Sequence, residues 1–207
     1  QLSPAGNAQR YYNMYSKLKN REKVAQEQLR LAHMDVEYFS NLLHQMENIT
    51  TADEVEEVRQ ELIEQKIIKE RSRGKKKKKV NKIQLHEFET SAGLPVFVGK
   101  NNKQNDYLTN RKAQNNHLWF HTKDIPGSHV VIAHNAADIS EDDILEAAML
   151  AAFHSKAGQS AGVPVDYTEI KHVKNIPGTK PGFVTYSEQS TVLVDPDAEK
   201  VKEMKKD

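Results

Sequence analysis

Arg71-Ser72-Arg73-Gly74-Lys75-Lys76-Lys77-Lys78-Lys79 divides the chain into two stretches of different grammar. Five adjacent ammonium groups repel one another and stay solvated, so 71–82 reads as a basic linker. The run carries two readings: a spacer, or a polyanion contact in which Lys75, Lys76, Lys77, Lys78 and Lys79 displace the counterions of phosphate.

Upstream, residues 1–70 lack Pro after Pro4 and Gly after Gly6, as a long helix requires. Ser3 suits an N-cap and Pro4 the first helical position, where a missing N–H costs nothing. Tyr11, Tyr12, Met14, Tyr15, Leu18, Leu29, Leu31, Met34, Tyr38, Leu42 and Leu43 then recur at helical spacings. Thr51-Ala52-Asp53-Glu54 reads as a capping box opening a second, shorter helix carrying Val55, Val58, Leu62, Ile63 and Ile67. The expectation is a helical hairpin of coiled-coil type. Its first helix outruns its second, leaving the aromatic half around Tyr11, Tyr12 and Tyr15 to be covered by something else.

Downstream, over 83–200, short β-like runs alternate with Gly, Pro and Asn. Ile83 to Thr90, Leu94 to Gly99, His117 to Lys123, His129 to His134, Val163 to Val173 and Gly182 to Val194 read as strands. A short helix is expected from Asn105 to Ala113, and a longer one where Ser140-Glu141-Asp142-Asp143 caps the apolar run Ile144 to Phe153 before Gly158. Most connections are too short for parallel crossovers, so the fold class is α+β: a long helical hairpin arm followed by a compact, mostly antiparallel domain.

The net charge of +1 is a cancellation. Residues 1–79 hold 16 basic and 12 acidic groups, and 80–207 hold 14 and 17. The stretch 80–123 is again basic, while 138–146 is an acidic block. With no Cys in the chain, disulfides and thiolate chemistry are excluded. No apolar run approaches the roughly 20 residues of a membrane-spanning helix. The chain opens on Gln1 without a signal-peptide pattern, and reads as a fragment of a longer cytosolic protein.

His117-Leu118-Trp119-Phe120-His121 is the most informative short motif. As a strand it puts His117, Trp119 and His121 on one face and Leu118 with Phe120 on the other. The first face reads either as a surface that stacks a base or binds phosphate, or as core with satisfied imidazoles. Five of the nine histidines fall within 117–154, yet none stands in a metal-ligand spacing, and no Ser, His and Asp arrangement can be picked out. Neither an enzyme nor a metal or cofactor site is expected. Gly99-Lys100-Asn101-Asn102-Lys103-Gln104-Asn105-Asp106 forms a polar turn before a helix N-terminus, suited to phosphate but without a nucleotide-hydrolysing pattern. Lys123-Asp124-Ile125-Pro126-Gly127-Ser128 and Lys174-Asn175-Ile176-Pro177-Gly178-Thr179 are paired Pro-Gly turns, read as tight turns or as anion nests.

These residues resemble a known family. Val98 to Thr109, Leu118 to Ile132, Ala147 to Lys156 and Lys180-Pro181-Gly182 are similar to the NFACT-R domain. Leu2-Ser3-Pro4 and Asn7-Ala8-Gln9-Arg10-Tyr11 resemble the coiled-coil and middle region of the same RqcH/FbpA (NEMF-related) family. The resemblance implies an RNA-binding, ribosome-binding C-terminal module of a ribosome quality control factor. Such a factor recruits tRNA to obstructed large ribosomal subunits for alanine tailing. The partners implied are the large ribosomal subunit and tRNA or rRNA, with self-association through the arm, in the cytoplasm. The same family carries an adhesin reading: a fibronectin-binding surface protein exported by a non-classical route. Where the family often has an acid before the Leu-Trp-Phe-His run, this chain has His117, which makes that face more basic. The RNA-binding residues expected are Lys75 to Lys79, Lys100, Asn101, Asn102, Asn105, Arg111, Trp119, His121, Lys123, Ser128 and His129.

Overall fold

The computed structural model describes residues 3–47, 49, 51–69, 83–176 and 178–206. The basic linker with Lys75 to Lys79 lies outside the described residues. Two compact units are present, Gln1–Ser40 and Asn41–Asp207.

Helix α1 runs from Pro4 to Glu47. The Ser3 hydroxyl accepts from the Gly6 N–H at 3.1 Å, the N-cap that the Ser-Pro start predicts. In the first unit Tyr11, Tyr12, Tyr15 and Leu18 are all more than half exposed.

In the second unit, α2 (Ala52–Glu64) opens with the expected capping box. The Thr51 hydroxyl accepts from the Glu54 N–H, and the Glu54 carboxylate accepts from the Thr51 N–H. Six strands follow in one sheet: β1 (His86–Glu89), β2 (Pro95–Gly99), β3 (Leu118–Thr122), β4 (His129–Ile132), β5 (Val163–Glu169) and, after two others, β8 (Ser190–Val194). Their order is β1-β2-β4-β3-β5-β8, and every pairing is antiparallel. Strands β6 (Val173–Asn175) and β7 (Val184–Tyr186) form a separate hairpin.

Strand alternation builds a core on each face of the large sheet. Leu118, Phe120, Val130, Ile132, Val96 and Val98 pack under helix α4 (Glu141–Phe153) and helix α5 (Ala198–Met204). The alanines 147, 148, 151 and 152 are fully buried and let α4 lie close to the strands. Trp119 and Val131 point the other way and pack with Leu108, Ile170 and Val173. The cap on α4 is again the expected one, with Ser140 and Asp143 bonded reciprocally.

Three local expectations change. The short helix is α3 (Asn102–Tyr107), beginning three residues earlier than expected because Asn101 accepts from the Gln104 N–H at 2.8 Å as the N-cap. It continues as a π-helical turn, Leu108–Lys112. The single runs expected over Val163 to Val173 and Gly182 to Val194 each divide between the two sheets, the first at a 3₁₀ turn, Ile170–His172. Helix α5 was not expected, although Asp197 caps it through the Glu199 and Lys200 N–H groups.

Candidate functional site

The expected site residues divide into three groups. The first surrounds Trp119, which is fully buried. His121 stacks on its ring with centroids 5.8 Å apart and 9° between planes; His129 and Tyr186 meet it at 5.2 and 5.0 Å. The Trp119 face is thus a second core of rings beneath the β6–β7 hairpin, and the indole is closed to a base. Two of these rings are tied down at their polar ends, Tyr186 and His129, whereas the buried Trp119 indole N–H has no hydrogen-bond partner among the described residues. Tyr186 donates to Asp166 at 2.9 Å and His129 Nδ1 lies 2.8 Å from the Thr109 hydroxyl, while the His129 backbone N–H donates to Asn105 Oδ1 at 3.1 Å. Burial pushes His121 down to about 4 and His129 well below its ordinary range, so both are neutral at pH 7.

The second group is the Gly99 to Asn105 turn, where the side-chain donors of Asn101, Asn102, Lys103 and Gln104 already have acceptors. Glu57 of α2 accepts from the Asn101 amide at 2.6 Å and the Gln104 amide at 2.8 Å. Glu61 accepts from the Asn102 amide at 2.8 Å, and the Asn102 carbonyl accepts from Gln45 at the same distance. Lys103 pairs with Glu64 at 2.9 Å and His86 with Glu54 at 3.1 Å. Glu54, Glu57, Glu61 and Glu64 stand at spacings of three, four and three along α2, on one helix face. That acid row is what the turn binds. Gly99 is required here, since a Cβ would come within 2.5 Å of Asn105 Oδ1 and 2.8 Å of the Asn105 nitrogen. Beside this contact lies an acidic cavity of about 360 Å³ lined by Asp53, Glu54, Glu57 and Gln104.

The third group is open. A cavity of about 430 Å³ lies between His44 and Gln45 at the end of α1, Ser128 at the start of β4, and His154 and Lys156 after α4, with Lys100 in its wall. Lys100 is half-buried and Lys156 exposed. Desolvation lowers the Lys100 ammonium from its ordinary range; Glu54 opposes that effect and Lys205 adds to it. His154 is held down to about 3 by burial and then by Lys100, His86 and His44, so it lines the cavity as a neutral ring. Gly127 allows the close packing, because a Cβ there would meet the Thr122 hydroxyl at 2.7 Å and Ser155 Cβ at 3.0 Å.

The structure therefore brings Lys100 and Ser128 together, buries Asn101, Asn102, Asn105, Trp119 and His129, and leaves Arg111 and Lys123 exposed elsewhere. Lys156 and His154 were not among the expected residues. A lysine three residues past the end of α4, shortly before Gly158, was the available signal. The two Pro-Gly turns also differ: Gly178 has φ +77° in open space, whereas Gly127 is enclosed. Among the described residues no group of His, Asp or Glu stands in a metal-binding arrangement, and no helix is long and apolar enough to cross a membrane.

Residues 84–188 match the NFACT protein RNA binding domain, and residues 1–81 match the NFACT N-terminal and middle domains. RqcH of Bacillus subtilis is 49% identical over 205 residues, covering 99% of this chain and 35% of the relative. RqcH of Streptococcus suis is 42% identical over 206 residues, covering 99% and 36%. The solved C-terminal part of the fibronectin/fibrinogen-binding protein of Streptococcus suis is similar in fold, with a TM-score of 0.88 and 41% identity over 96% of this chain and 79% of that one. The chain spans about a third of the length of these curated relatives. With an NFACT RNA binding domain over its sheet unit and part of the NFACT N-terminal and middle region before it, the chain belongs to the RqcH family.

Proposed function

We propose that this chain is the RNA-binding portion of a ribosome quality control factor. In this reading it helps hold tRNA on an obstructed large ribosomal subunit while alanine tails are added, and acts in the cytoplasm as a binding module, not as an enzyme. The observation that carries the reading is the match of residues 84–188 to the NFACT RNA binding domain. The cavity walled by Lys100 and Lys156 supports it, being the one of the two cavities described above whose charge suits phosphate. The lysine run at 75–79 adds sequence-independent attraction to the same polyanion.

The test is binding of labelled tRNA, and co-sedimentation with large ribosomal subunits, across a salt series. Affinity should fall by about tenfold or more between 50 and 200 mM salt, since several phosphate contacts release counterions. Replacing Lys75 to Lys79 by Ser should flatten that dependence. A salt-independent affinity, or no affinity for either RNA, sinks the reading.

A second reading is favoured by the solved fibronectin/fibrinogen-binding relative and by the exposed Tyr11, Tyr12 and Tyr15, which suit a protein contact. It makes the chain a surface adhesin. Saturable binding of immobilised fibronectin, lost when the three tyrosines become Ser, would support it; no saturable binding removes it. Arm-mediated self-association is a separate proposal of the same exposed face, and sedimentation at rising concentration reads it directly.

A further inference from the structure

We infer that the cavity between Lys100, Ser128 and Lys156 takes a single splayed-out RNA nucleotide, its phosphate on the two lysines and its base against Phe153. This rests on the RNA-binding reading and adds a place and a stoichiometry to it.

Size comes first. About 430 Å³ lies toward the lower end of the range for small-ligand pockets, enough for one nucleotide and too little for a duplex. Charge then orients the occupant. Lys156 is exposed and Lys100 half-buried, and both line the cavity, so a phosphate there is met by one solvated and one partly desolvated ammonium. The half-buried lysine already feels the cost of desolvation, and an incoming anion offsets it.

The backbone permits close approach. Gly127 is packed so tightly against Thr122 and Ser155 that no side chain fits, which keeps this wall flat beside the Ser128 hydroxyl. Phe153 lines the same cavity, and bases unstacked from their neighbours are held on aromatic rings. Glu47, also in the lining, offsets part of the charge of the two lysines. As an acceptor it suits the exocyclic amino group of a base.

The full chain is titrated with a labelled single-stranded decamer of adenylates, with AMP, adenosine and inorganic phosphate as competitors. AMP should displace the decamer at concentrations at least tenfold below adenosine. Lys156→Gln should weaken the decamer by about five- to tenfold, while Lys156→Arg restores most of the affinity. Lys156 is exposed, so folding is not at stake; Phe153→Leu serves as a second variant that keeps the core apolar and removes the ring.

If the decamer binds and neither Lys156→Gln nor Phe153→Leu weakens it, the nucleotide site is overturned while the RNA-binding reading survives. If the decamer does not bind, the broader reading fails, and AMP decides the cavity alone. Perturbation of the Phe153 and His154 ring resonances by AMP keeps a nucleotide site, and their silence removes it. Equal competition by inorganic phosphate and AMP assigns an anion site and overturns the base contact.

Discussion

Two cavities of similar size flank one turn, and they have opposite charge. The first, about 360 Å³, is walled by Asp53, Glu54 and Glu57 with Gln104; the second, about 430 Å³, is walled by Lys100, Lys156, His44 and Ser128. Lys100 and Gln104, four residues apart, face different ones. The turn between them is rich in amide donors, and by composition alone it suits phosphate. In the fold those donors are spent on the α2 glutamates, and the position open to an anion is the lysine side. A carboxylate row on a neighbouring helix thus does in the folded chain what phosphate would do for an isolated loop. Donor-rich sequence indicates that an anion is bound, not which one.

The largest expected effect comes from breaking the closed side. Gly99→Ala drives a Cβ into the Asn105 backbone nitrogen, which cannot swing aside, and into Asn105 Oδ1, which the His129 backbone N–H holds in place. Overpacking of this kind costs about 2 to 3 kcal/mol. It should appear as a lower urea midpoint at unchanged slope. A shift below 0.5 kcal/mol would mean that the turn is not held rigidly against α3, and that its donors are freer than the distances imply.

Acid separates the two cavities by a different route. His154, on the basic side, is lowered from 6.5 to about 3, and His121, behind the sheet, to about 4. In the unfolded chain both titrate near 6.5. Below that pH the unfolded state therefore binds protons that the native state refuses, and stability falls as pH drops from about 6.5 toward 4. The slope is up to about 1.4 kcal/mol per pH unit for each histidine, full strength being reached only below about pH 5.5. Protonated His154 would join Lys100 beside the basic cavity, whereas protonated His86 has Glu54 at 3.1 Å. Denaturant midpoints between pH 6.5 and 4.5 should fall; His129, also held well below its ordinary range by burial, adds to the slope, so His154→Leu should remove about a third of it. An unchanged slope in the variant would show that His154 is not the group that resists protonation.

Much of this was legible from residue patterns because local physics decides it. Capping boxes at Thr51 and Ser140, the Ser3-Pro4 start and the alternation through Leu118 to Thr122 involve partners a few residues apart. The position of Trp119 needed more. Period two places it opposite Leu118 and Phe120, but only the β6–β7 hairpin, about 55 to 65 residues later, determines that its face is covered. The Asn101 and Asn102 contacts escaped for the same reason, since Glu57 and Glu61 lie 44 and 41 residues away. The acid row was visible as a spacing on α2. Its counterpart was visible as a run of amides. Nothing local joins the two, and the open cavity draws on four separated segments.

The smallest effect sharpens the contrast most. Lys103 and Lys156 are both lysines close to this turn, yet Lys103 is paired with Glu64 at 2.9 Å while Lys156 borders the open cavity. An ammonium already neutralised by a carboxylate displaces few counterions from RNA, so Lys103→Gln should change affinity less than twofold and leave the salt dependence as it was. Its effect on stability should be about 0.5 kcal/mol or less, because Glu64 is largely exposed and the pair is screened. Lys156→Gln should instead reduce the slope of log affinity against log salt by about 0.7, the value for one single-strand phosphate contact. Equal slopes for the two variants would mean that RNA feels only the summed charge of the domain. Inverted slopes would place the contact on the α2 side, with Glu64 displaced by phosphate when RNA arrives.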